Sequence, residues 1–593
     1  MEGSNGIFFS RIKKVILYQQ DNLICLALIF FINFLANFLL FKDFGFYEDD
    51  YWMTIPQMTW SFVQYKDHII DALTHWPQGR PIFWFLQHTI CFSVGKIGSV
   101  PAYYLVSYIL TSASGCAVFI LLTKFYSRPV ALLAALFFVL FPADTAKQIF
   151  MHQVHMPITT VLVVTALFIL IKGKWAAVYI LSLGVLLTYE PYFLLFFFAP
   201  LLTKARSFRH QCMKMVANAI PLIVILMGTL WFRRFLGEHR ASDVLGSLDK
   251  YILKALSAPW IGGWTALSLC VTRAVEALLH SSLWQWVFIV GTTGIVLCFT
   301  CYINKHNNEQ EINLPEVSDP YKYWRLFAMG LGMFLASYLY RFYPDYYPPI
   351  INIGRLSLSH AVGSIGLCFV GASMISLVVN RSPKSKWLAY ITMSSYIGLL
   401  VSFGLEIQVT QYARNWQQQK VYFNAIIDQI SDLQDGDSIV VNIESGYNDG
   451  RESRSTTEGF PPFWMVNYPL DMMPRLLHLP VAWKKPPRIY GYYEGATKTL
   501  VPDGLRVKTP PYLPDADSLV IADKRFLFFE FKDGKLIRSP HPIVFQGKEF
   551  RPRDTKNVIA SPFSKTNLYQ MLFRSDSDKL WPTIYRSINY PKQ

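Results

Sequence analysis

The sequence predicts an α-helical polytopic membrane protein with about eleven transmembrane helices and a C-terminal mixed α/β domain. Its 593 residues are 52% hydrophobic and only 16% charged, whereas soluble globular proteins carry roughly 25% charged residues. Apolar runs of about twenty residues recur, as at 23–41, 101–123 and 283–303. Each is long enough to cross about 30 Å of hydrocarbon. These observations exclude a disordered or a wholly soluble protein.

The positive charge of the chain indicates its orientation in the membrane. The net charge is +15, with 30 Lys and Arg against 20 Asp and Glu in residues 1–406, and 25 against 20 in 407–593. Basic residues concentrate in loops that face the cytoplasm. The excess is therefore no evidence for a nucleic acid, and we expect no nucleic-acid partner. All eight cysteines precede residue 407, so we expect no disulfide in the C-terminal part.

The apolar runs and the basic loops together predict a topology. A hairpin within 175–203 supplies two spans. One long span is the alternative there, but it would place the basic loop 204–214 outside. The hairpin turns at 188–191 and keeps Glu190 at the membrane edge, which avoids placing a carboxylate at the bilayer centre. The other nine predicted spans are 22–41, 101–123, 129–143, 158–171, 216–236, 283–303, 325–340, 357–379 and 388–406.

This topology places the N-terminus in the cytoplasm and the C-terminal part outside, in the plasma membrane (the inner membrane of a bacterium). The apolar run at 81–98 is interrupted by polar residues, and we expect it to form an outer-surface or re-entrant helix. Residues 144–157 are expected to form an external loop. Residues 237–282 are also expected outside, partly as a surface helix.

The composition changes at residue 407, which predicts a membrane domain at 1–406 and a soluble extracytoplasmic domain at 407–593. No apolar run of membrane length follows this position, and 416–433 has the pattern of an amphipathic helix. The domain contains no glycine-rich nucleotide-binding loop. Short strands are predicted at 438–443, 518–522, 526–531 and 535–538, and the last two are predicted to form a hairpin that turns at Asp533-Gly534.

Three acidic residues, Glu48, Asp49 and Asp50, follow the first predicted span within ten residues. Adjacent carboxylates at a membrane interface can deprotonate a hydroxyl group or hold a divalent cation through oxygen ligands. The alternative is an ordinary solvated turn flanked by interfacial aromatic residues. The cluster is the first candidate for a catalytic site.

Further charged residues are predicted on the same side of the membrane. Carboxylates suit a hydroxyl acceptor, and arginines suit phosphate oxygens. Each residue also has a structural alternative: the histidines could only hydrogen-bond within a loop, Glu190 could pair with a neighbouring helix, and Arg355 could anchor a span at the headgroups. The candidates are Asp144, Lys147, His152, His155, Glu190, Arg341 and Arg355.

Three motifs in the first 360 residues carry a resemblance to a known family. They are YEDDY at 47–51, WPQGRP at 76–81 and FPAD at 141–144. Their order and placement resemble the GT-C superfamily, integral-membrane glycosyltransferases that use polyprenyl-phosphate sugar donors. The most similar pattern is the bacterial glucosyltransferase type that modifies O-antigen. Protein O-mannosyltransferases and aminoarabinose transferases are more distant.

The resemblance implies roles for several acids. The first-loop acid of the family falls on Asp49 or Asp50, and branches with an acid pair use the first member on the acceptor, which favours Asp49. The second-loop acid is Asp144, which together with Asp49 could hold Mg²⁺ or Mn²⁺; whether a metal is needed stays open. The aminoarabinose-transferase branch has a phosphate-facing lysine where this chain has Glu190. Phosphate binding is then assigned to other basic residues, with Arg80, Lys147, Arg341 and Arg355 as candidates, and Glu48, His152, His155 and Glu190 in support.

The implied function is transfer of a sugar from a polyprenyl-phosphate donor to a hydroxyl of a glycan, lipid or protein on the outer face of the membrane. In the branch that modifies O-antigen, the acceptor is a polysaccharide of the cell envelope. A polysaccharide polymerase or ligase with a lipid-linked donor is one alternative. A non-enzymatic transporter of lipid or sugar is another, although transporters usually place ionisable residues near the bilayer midplane. A membrane scaffold is a third.

Overall fold

The computed structural model shows helices up to residue 427 and strands from residue 438 onward. It describes residues 20–47, 50–204, 207–237, 248–310, 321–339, 357–442, 488–492, 497–508, 519–532 and 535–553.

The helices of the described part are numbered here in chain order. A 3₁₀ turn at Pro77–Gly79 precedes α5, a 3₁₀ segment at Glu190–Leu202 follows α9, and a π-helical segment at Gln408–Ala413 follows α16. The helices are α1 Gln20–Asp43, α2 Asp50–Met53, α3 Ile55–Thr59, α4 Phe62–His75, α5 Pro81–Gly95, α6 Val100–Leu122, α7 Arg128–Val139, α8 Phe150–Ile171, α9 Trp175–Thr188, α10 Phe208–Phe235, α11 Leu248–His280, α12 Leu283–Gln310, α13 Lys322–Ala336, α14 Leu358–Ala361, α15 Ser364–Val379, α16 Pro383–Ile407 and α17 Arg414–Ile427.

Within the described residues, six helical runs are long and apolar enough to cross a membrane, so the chain is a helical membrane protein. Four more apolar helices have only 10–17 residues, and the predicted number of eleven spans is therefore not confirmed. The six runs are α1, α6, α8, α10, Leu283–His306 within α12, and Pro383–Asp428, which contains α16 and α17.

The break predicted inside 175–203 is confirmed. Helix α9 ends at Thr188, and Tyr189 has an extended backbone with φ −154° and ψ 103°. The chain resumes as the 3₁₀ segment, with Pro191 in its first turn. Proline disfavours the α conformation of the residue before it and lacks an N–H group, so the α-helix does not continue through Pro191. The 3₁₀ segment then packs against α9, α10 and α13.

The predicted external loop at 144–157 is wrong from residue 150 onward, because α8 begins at Phe150. The carboxylate of Asp50 accepts hydrogen bonds from the backbone N–H groups of Phe150 and Met151, at 3.2 and 2.8 Å. These N–H groups would otherwise lack helical partners. The cap therefore comes from a residue one hundred positions earlier, which no local sequence pattern could indicate.

The helix before the C-terminal strands crosses the predicted domain boundary. Helix α16 continues through the π-helical segment directly into α17, so position 407 lies inside a helical run. The predicted helix at 416–433 begins two residues earlier, at Arg414, and ends at Ile427. The division into two domains stays a prediction.

The strands of the C-terminal part lie in three small sheets. In the largest, β1 pairs in parallel with β2 and β6, and β6 pairs antiparallel with β7, which confirms the predicted hairpin. The sheet orders are β2-β1-β6-β7, β3-β4-β5 and β8-β9. The strands are β1 Ser438–Asn442, β2 Arg488–Tyr492, β3 Thr497–Val501, β4 Gly504–Lys508, β5 Leu519–Ile521, β6 Phe526–Lys532, β7 Lys535–Ser539, β8 Ile543–Phe545 and β9 Lys548–Phe550.

Two other segments predicted to be helical are confirmed as helices. Helix α5 occupies most of 81–98, and α11 runs for 33 residues within 237–282. Their predicted positions relative to the bilayer stay predictions.

Helices α13 and α15 pack with their backbones in close approach. A Cβ atom on Gly366 would lie 2.5 Å from the carbonyl oxygen of Gly330, and a Cβ on Gly330 would lie 2.5 Å from that of Gly366. Small residues at such crossings let membrane helices pack closely. Gly371 on the same α15 has no atom within 4 Å of its Cβ position, so α15 offers an internal comparison.

We predict that Gly366→Ala lowers the free energy of unfolding by about 1–3 kcal/mol, because the added methyl group must push two helix backbones apart. Gly371→Ala should leave stability unchanged or slightly raised, since alanine favours the helix. Thermal unfolding of both variants in the same detergent measures the difference. Equal melting temperatures would contradict the close approach of α13 and α15.

Candidate functional site

The WPQGRP motif forms a tight turn between α4 and α5. Trp76, Gln78 and Gly79 have positive φ values of 48°, 54° and 71°. Left-handed conformations are costly for residues other than glycine. A Cβ atom on Gly79 would lie 1.9 Å from Nε of Arg233. The turn therefore brings its own backbone against an arginine from α10.

Two arginines from distant parts of the chain converge on one carboxylate. Nε of Arg80 donates to Oε2 of Glu190 at 2.7 Å, and Nη1 of Arg233 donates to Oε1 at 3.0 Å. Nη2 of Arg233 also donates to the carbonyl of Gln78 at 3.1 Å. We call Arg80, Glu190 and Arg233 the arginine–glutamate cluster. Its three side chains together carry one net positive charge.

Aromatic rings surround the arginine–glutamate cluster. The guanidinium carbon of Arg80 lies 4.9 Å from the ring centre of Tyr189, within the range of a cation–π contact. The ring of Trp76 lies 4.7 Å from that of Phe232. Trp231, from the same end of α10, is largely exposed. Aromatic residues of this kind are enriched where membrane helices meet the headgroup region.

The two predicted histidines lie in the first two turns of α8 rather than in a loop. The ring of His155 lies between those of Phe83 and Tyr189, at 4.7 and 4.9 Å. Its Nδ1 is 3.1 Å from the carbonyl of Met151, so this nitrogen carries the proton that is donated. The ring of His152 lies 5.9 Å from that of His155. His155 and the guanidinium group of Arg80 therefore both contact the ring of Tyr189.

Asp50 is fully buried, and its carboxylate accepts backbone N–H groups. Besides the two amides at the start of α8, it accepts the N–H of Tyr47 at 3.2 Å. Asp50 thus fastens the chain that follows α1, here called the first loop, to α8. Its carboxylate lies at a helix N-terminus, where a negative charge is favourable. Glu48 and Asp49 precede it and lie outside the described residues. The structure gives Asp50 a role in holding the loop, and its catalytic role stays a prediction.

Asp144 and Lys147 lie between α7 and α8 and line the same cavity. Nζ of Lys147 donates to the carbonyl of Phe141 at 3.0 Å, and Oδ1 of Asp144 accepts the N–H of Ala146 at 3.0 Å. The space inside this cavity that the centre of a water molecule can reach is about 40 Å³. Its other polar lining residues are Thr111, Ser114, Gln153, Thr160, Tyr192 and Ser364.

The segment between α7 and α8, here called the second loop, carries two charged side chains, and burial shifts their pKa values in opposite directions. It raises the pKa of Asp144 and lowers the pKa of Lys147 to about 8, while the attraction between the two side chains opposes both shifts. At neutral pH Lys147 is mostly protonated, and its charge is lost as the pH rises through about 8. Among the phosphate-binding candidates in the described residues, Arg80 keeps its charge at all relevant pH values.

The predicted site residues meet around the N-terminal half of α8. Asp50 caps this helix, Asp144 and Lys147 precede it, and His155 extends from it toward the arginine–glutamate cluster. Arg341 and Arg355 lie outside the described residues. Within those residues no three His, Cys, Asp or Glu side chains are placed to hold a metal ion. The predicted metal pair includes Asp49, which is not described, so a metal at this position stays a prediction.

Arg233 was missed from the sequence. The available signal was Arg233-Arg234 at the end of a span predicted to run outward. A basic pair at an outer helix end departs from the usual cytoplasmic bias of lysine and arginine. The pair therefore calls for an acidic partner or an anionic ligand, and Glu190 was among the acids predicted on that side of the membrane.

No protein-family model matches the chain, and a search of curated proteins finds no match.

We predict that Glu190→Gln lowers the free energy of unfolding by about 2 kcal/mol, because it leaves two guanidinium groups close together without their shared carboxylate. Fully buried pairs cost about 3–5 kcal/mol when broken, and the value is smaller here because Arg80 and Glu190 are each 19% exposed. Thermal unfolding in detergent measures the change.

Glu549→Gln is the matched control. Glu549 accepts from Arg551 at 3.3 Å, but only one arginine is involved in that pair, and the two side chains are 51% and 69% exposed. This variant should therefore unfold close to the parent. An equal loss of stability in both variants would show that Glu190 has no special role in holding the two arginines.

Proposed function

We propose that the protein is a membrane glycosyltransferase that moves a sugar from a polyprenyl-phosphate donor to a hydroxyl acceptor at the outer face of the membrane. The observation that carries the proposal is the convergence of Arg80 and Arg233 at one point, beside aromatic rings at the end of an apolar helix. This arrangement gathers two guanidinium groups and one carboxylate, with one net positive charge, at a single point.

The chemistry of the donor fits these groups. Guanidinium groups bind phosphate oxygens through paired, charge-assisted hydrogen bonds. Glu190 holds both arginines in place, and the strained turn at Gln78 gives Arg233 a second, backbone contact. A lipid-linked phosphate could approach the cluster from the bilayer, while the acceptor hydroxyl arrives from water.

The first loop supplies the acid for the acceptor. Asp50 fastens this loop to α8, and Asp49 is its neighbour in the sequence. In the proposed inverting step the acceptor oxygen attacks the anomeric carbon and gives its proton to Asp49. The bond from that carbon to the phosphate oxygen breaks, and polyprenyl phosphate leaves with the electron pair. Arg80 and Arg233 stabilise the negative charge that develops on it.

We further propose the eleven-span topology, with the N-terminus in the cytoplasm and the C-terminal domain outside, in the plasma membrane. It would place the turn before α5, the break at Tyr189 and the end of α10 on the outer side. The contacts of the arginine–glutamate cluster support this, because they require these three segments to share one side of the membrane. A divalent cation held by Asp49 and Asp144 is compatible with the step and is not needed for its balance.

We predict that Asp49→Asn lowers transfer from polyprenyl-phosphate hexoses by about a thousandfold or more, since the proton acceptor is lost. Arg233→Gln should raise KM for the donor about tenfold, which corresponds to one charge-assisted hydrogen bond. Arg234→Gln is the control, because Arg234 is the exposed neighbour on α10. Labelled hexose transfer in proteoliposomes, with thermal unfolding as a check of folding, measures all three.

The same assay separates the alternatives. Unchanged turnover in Asp49→Asn would sink the assignment of Asp49. Movement of labelled lipid or sugar across the bilayer that survives this substitution would indicate a transporter. Transfer of a whole glycan rather than one sugar would indicate a polymerase or ligase.

The topology makes a separate prediction for labelling with a membrane-impermeant thiol reagent. Lys384→Cys, at the start of α16, should react only from the cytoplasmic side. Asp503→Cys, in the exposed turn between β3 and β4, should react only from the outside. The exposed Cys212 and Cys298 are first replaced by serine. Reaction of both engineered cysteines from one side would refute the proposed orientation.

A further inference from the structure

The π-helical segment Gln408–Ala413 packs against the end of α1. The side chain of Gln408 is fully buried; its Oε1 accepts the N–H of Leu40, and its Nε2 donates to the carbonyl of Leu35, both at 3.0 Å. The α1 segment Phe34–Phe38 is itself π-helical. π-Helical turns are rare and concentrate at functional sites. Here two of them face each other.

The same segment holds the loop that carries the acid cluster. The hydroxyl of Tyr47 donates to the carbonyl of Tyr412 at 2.9 Å, and the two rings meet edge to face at 4.9 Å. Trp416 fills the space beside Gly45, since a Cβ on that glycine would lie 1.8 Å from the Trp416 ring. Tyr47 is three residues before Asp50 and donates its own N–H to the Asp50 carboxylate.

Tyr412 also reaches the second loop. Its hydroxyl donates to the carbonyl of Thr145, the residue after Asp144. A second, smaller cavity is lined by Asp144 and Lys147 together with Gly404 and Ile407 from the end of α16. Tyr412 therefore contacts both acid-bearing loops. The end of α16, just before Tyr412, lines the cavity that contains Asp144 and Lys147.

The other end of this helical run is fixed to the C-terminal sheet. After α17, the side chain of Gln429 accepts the N–H of Arg538 at 3.0 Å and donates to the carbonyl of Leu536 at 3.2 Å. Both partners lie on β7. Nη2 of Arg538 also donates to Oδ2 of Asp432 at 2.8 Å. A continuous path of backbone and of buried and partly buried hydrogen bonds thus joins the sheet to the two loops.

We propose that the C-terminal sheet positions both acid-bearing loops through α17 and Tyr412. Tyr412 is a positioning residue that acts through the first and second loops. The C-terminal part then has a role in catalysis itself, in addition to any contact with an acceptor. The proposed activity is used in one arm of the test only; the positioning of the loops can be tested without it.

The first arm measures hydrogen exchange in the full-length protein in nanodiscs. Tyr412→Phe keeps the ring but removes the hydroxyl, and Gln429→Met removes both bonds to β7 at nearly constant volume. Both variants should speed exchange at 44–47 and 144–151 about tenfold. Tyr396→Phe is the control, because it removes a similar bond from α16, to the carbonyl of Cys270 at 2.9 Å, away from either loop.

The second arm measures transfer kinetics. Tyr412→Phe should lower kcat about tenfold or more while KM for the donor changes less than twofold, since misplaced reacting groups slow the chemical step without weakening phosphate binding. Tyr396→Phe should change neither constant.

The outcomes are distinct. The proposal is overturned if Tyr412→Phe leaves hydrogen exchange at 44–47 and 144–151 unchanged. It is also overturned if Tyr412→Phe speeds this exchange but Gln429→Met does not. An equal increase of hydrogen exchange at these loops in the Tyr396→Phe control also overturns the proposal. Faster loop exchange in both variants supports positioning even if no sugar transfer is found, and that result would count only against the proposed function.

Discussion

The site depends on the carboxylate of Asp50 and the backbone amides at the start of α8. The carboxylate accepts from Tyr47, Phe150 and Met151, so one buried group fixes the first loop, ends the second loop and sets where a membrane helix begins. A buried carboxylate is tolerated only when its oxygens are satisfied, and the amides of a helix N-terminus do this while contributing a favourable dipole. That contact fixes the first residues of α8, and His155, in the second turn of this helix, lies against Tyr189.

A second constraint links the strained turn at 76–79 to the end of α10. Left-handed conformations at Trp76 and Gln78 cost on the order of 1–3 kcal/mol each. Contacts with Arg233, which donates to Gln78 and lies against Gly79, help to offset that cost. The same arginine is held by Glu190 at the break after α9. Strain in the turn and charge at the helix break are therefore parts of one arrangement that fixes Arg80 and Arg233 together.

Local pattern was sufficient for the features that depend on local physics. Apolar runs predicted most of the apolar helices. The basic loop 204–214 and the position of Glu190 predicted the break after α9, and the turn Asp533-Gly534 predicted the β6–β7 hairpin. It failed where the cause lies elsewhere in the chain. Nothing near Phe150 indicates a helix start, because the capping group is Asp50. Nothing near residue 407 indicates that a helix continues, because the support for that segment comes from α1 through Gln408.

The position of the charges explains why a site can exist in so apolar a protein. Arg128 pairs with Asp21 at 2.9 Å, with both side chains nearly inaccessible, and Arg273 pairs with Glu276 on one helix; these are pairs of one acid with one base. At the break after α9 there are two bases to one acid, since the carboxylate of Glu190 accepts from both Arg80 and Arg233. A one-to-one pair satisfies its charges mutually, and further binding would require breaking it. Two guanidinium groups on one carboxylate leave one net positive charge at a fixed point, and such a charge attracts the phosphate group that is proposed to bind there. The sparse acids of this sequence thus act mainly as anchors for loops and for basic groups, and the reactive acid is expected beside an anchor, at Asp49, rather than at the anchor itself.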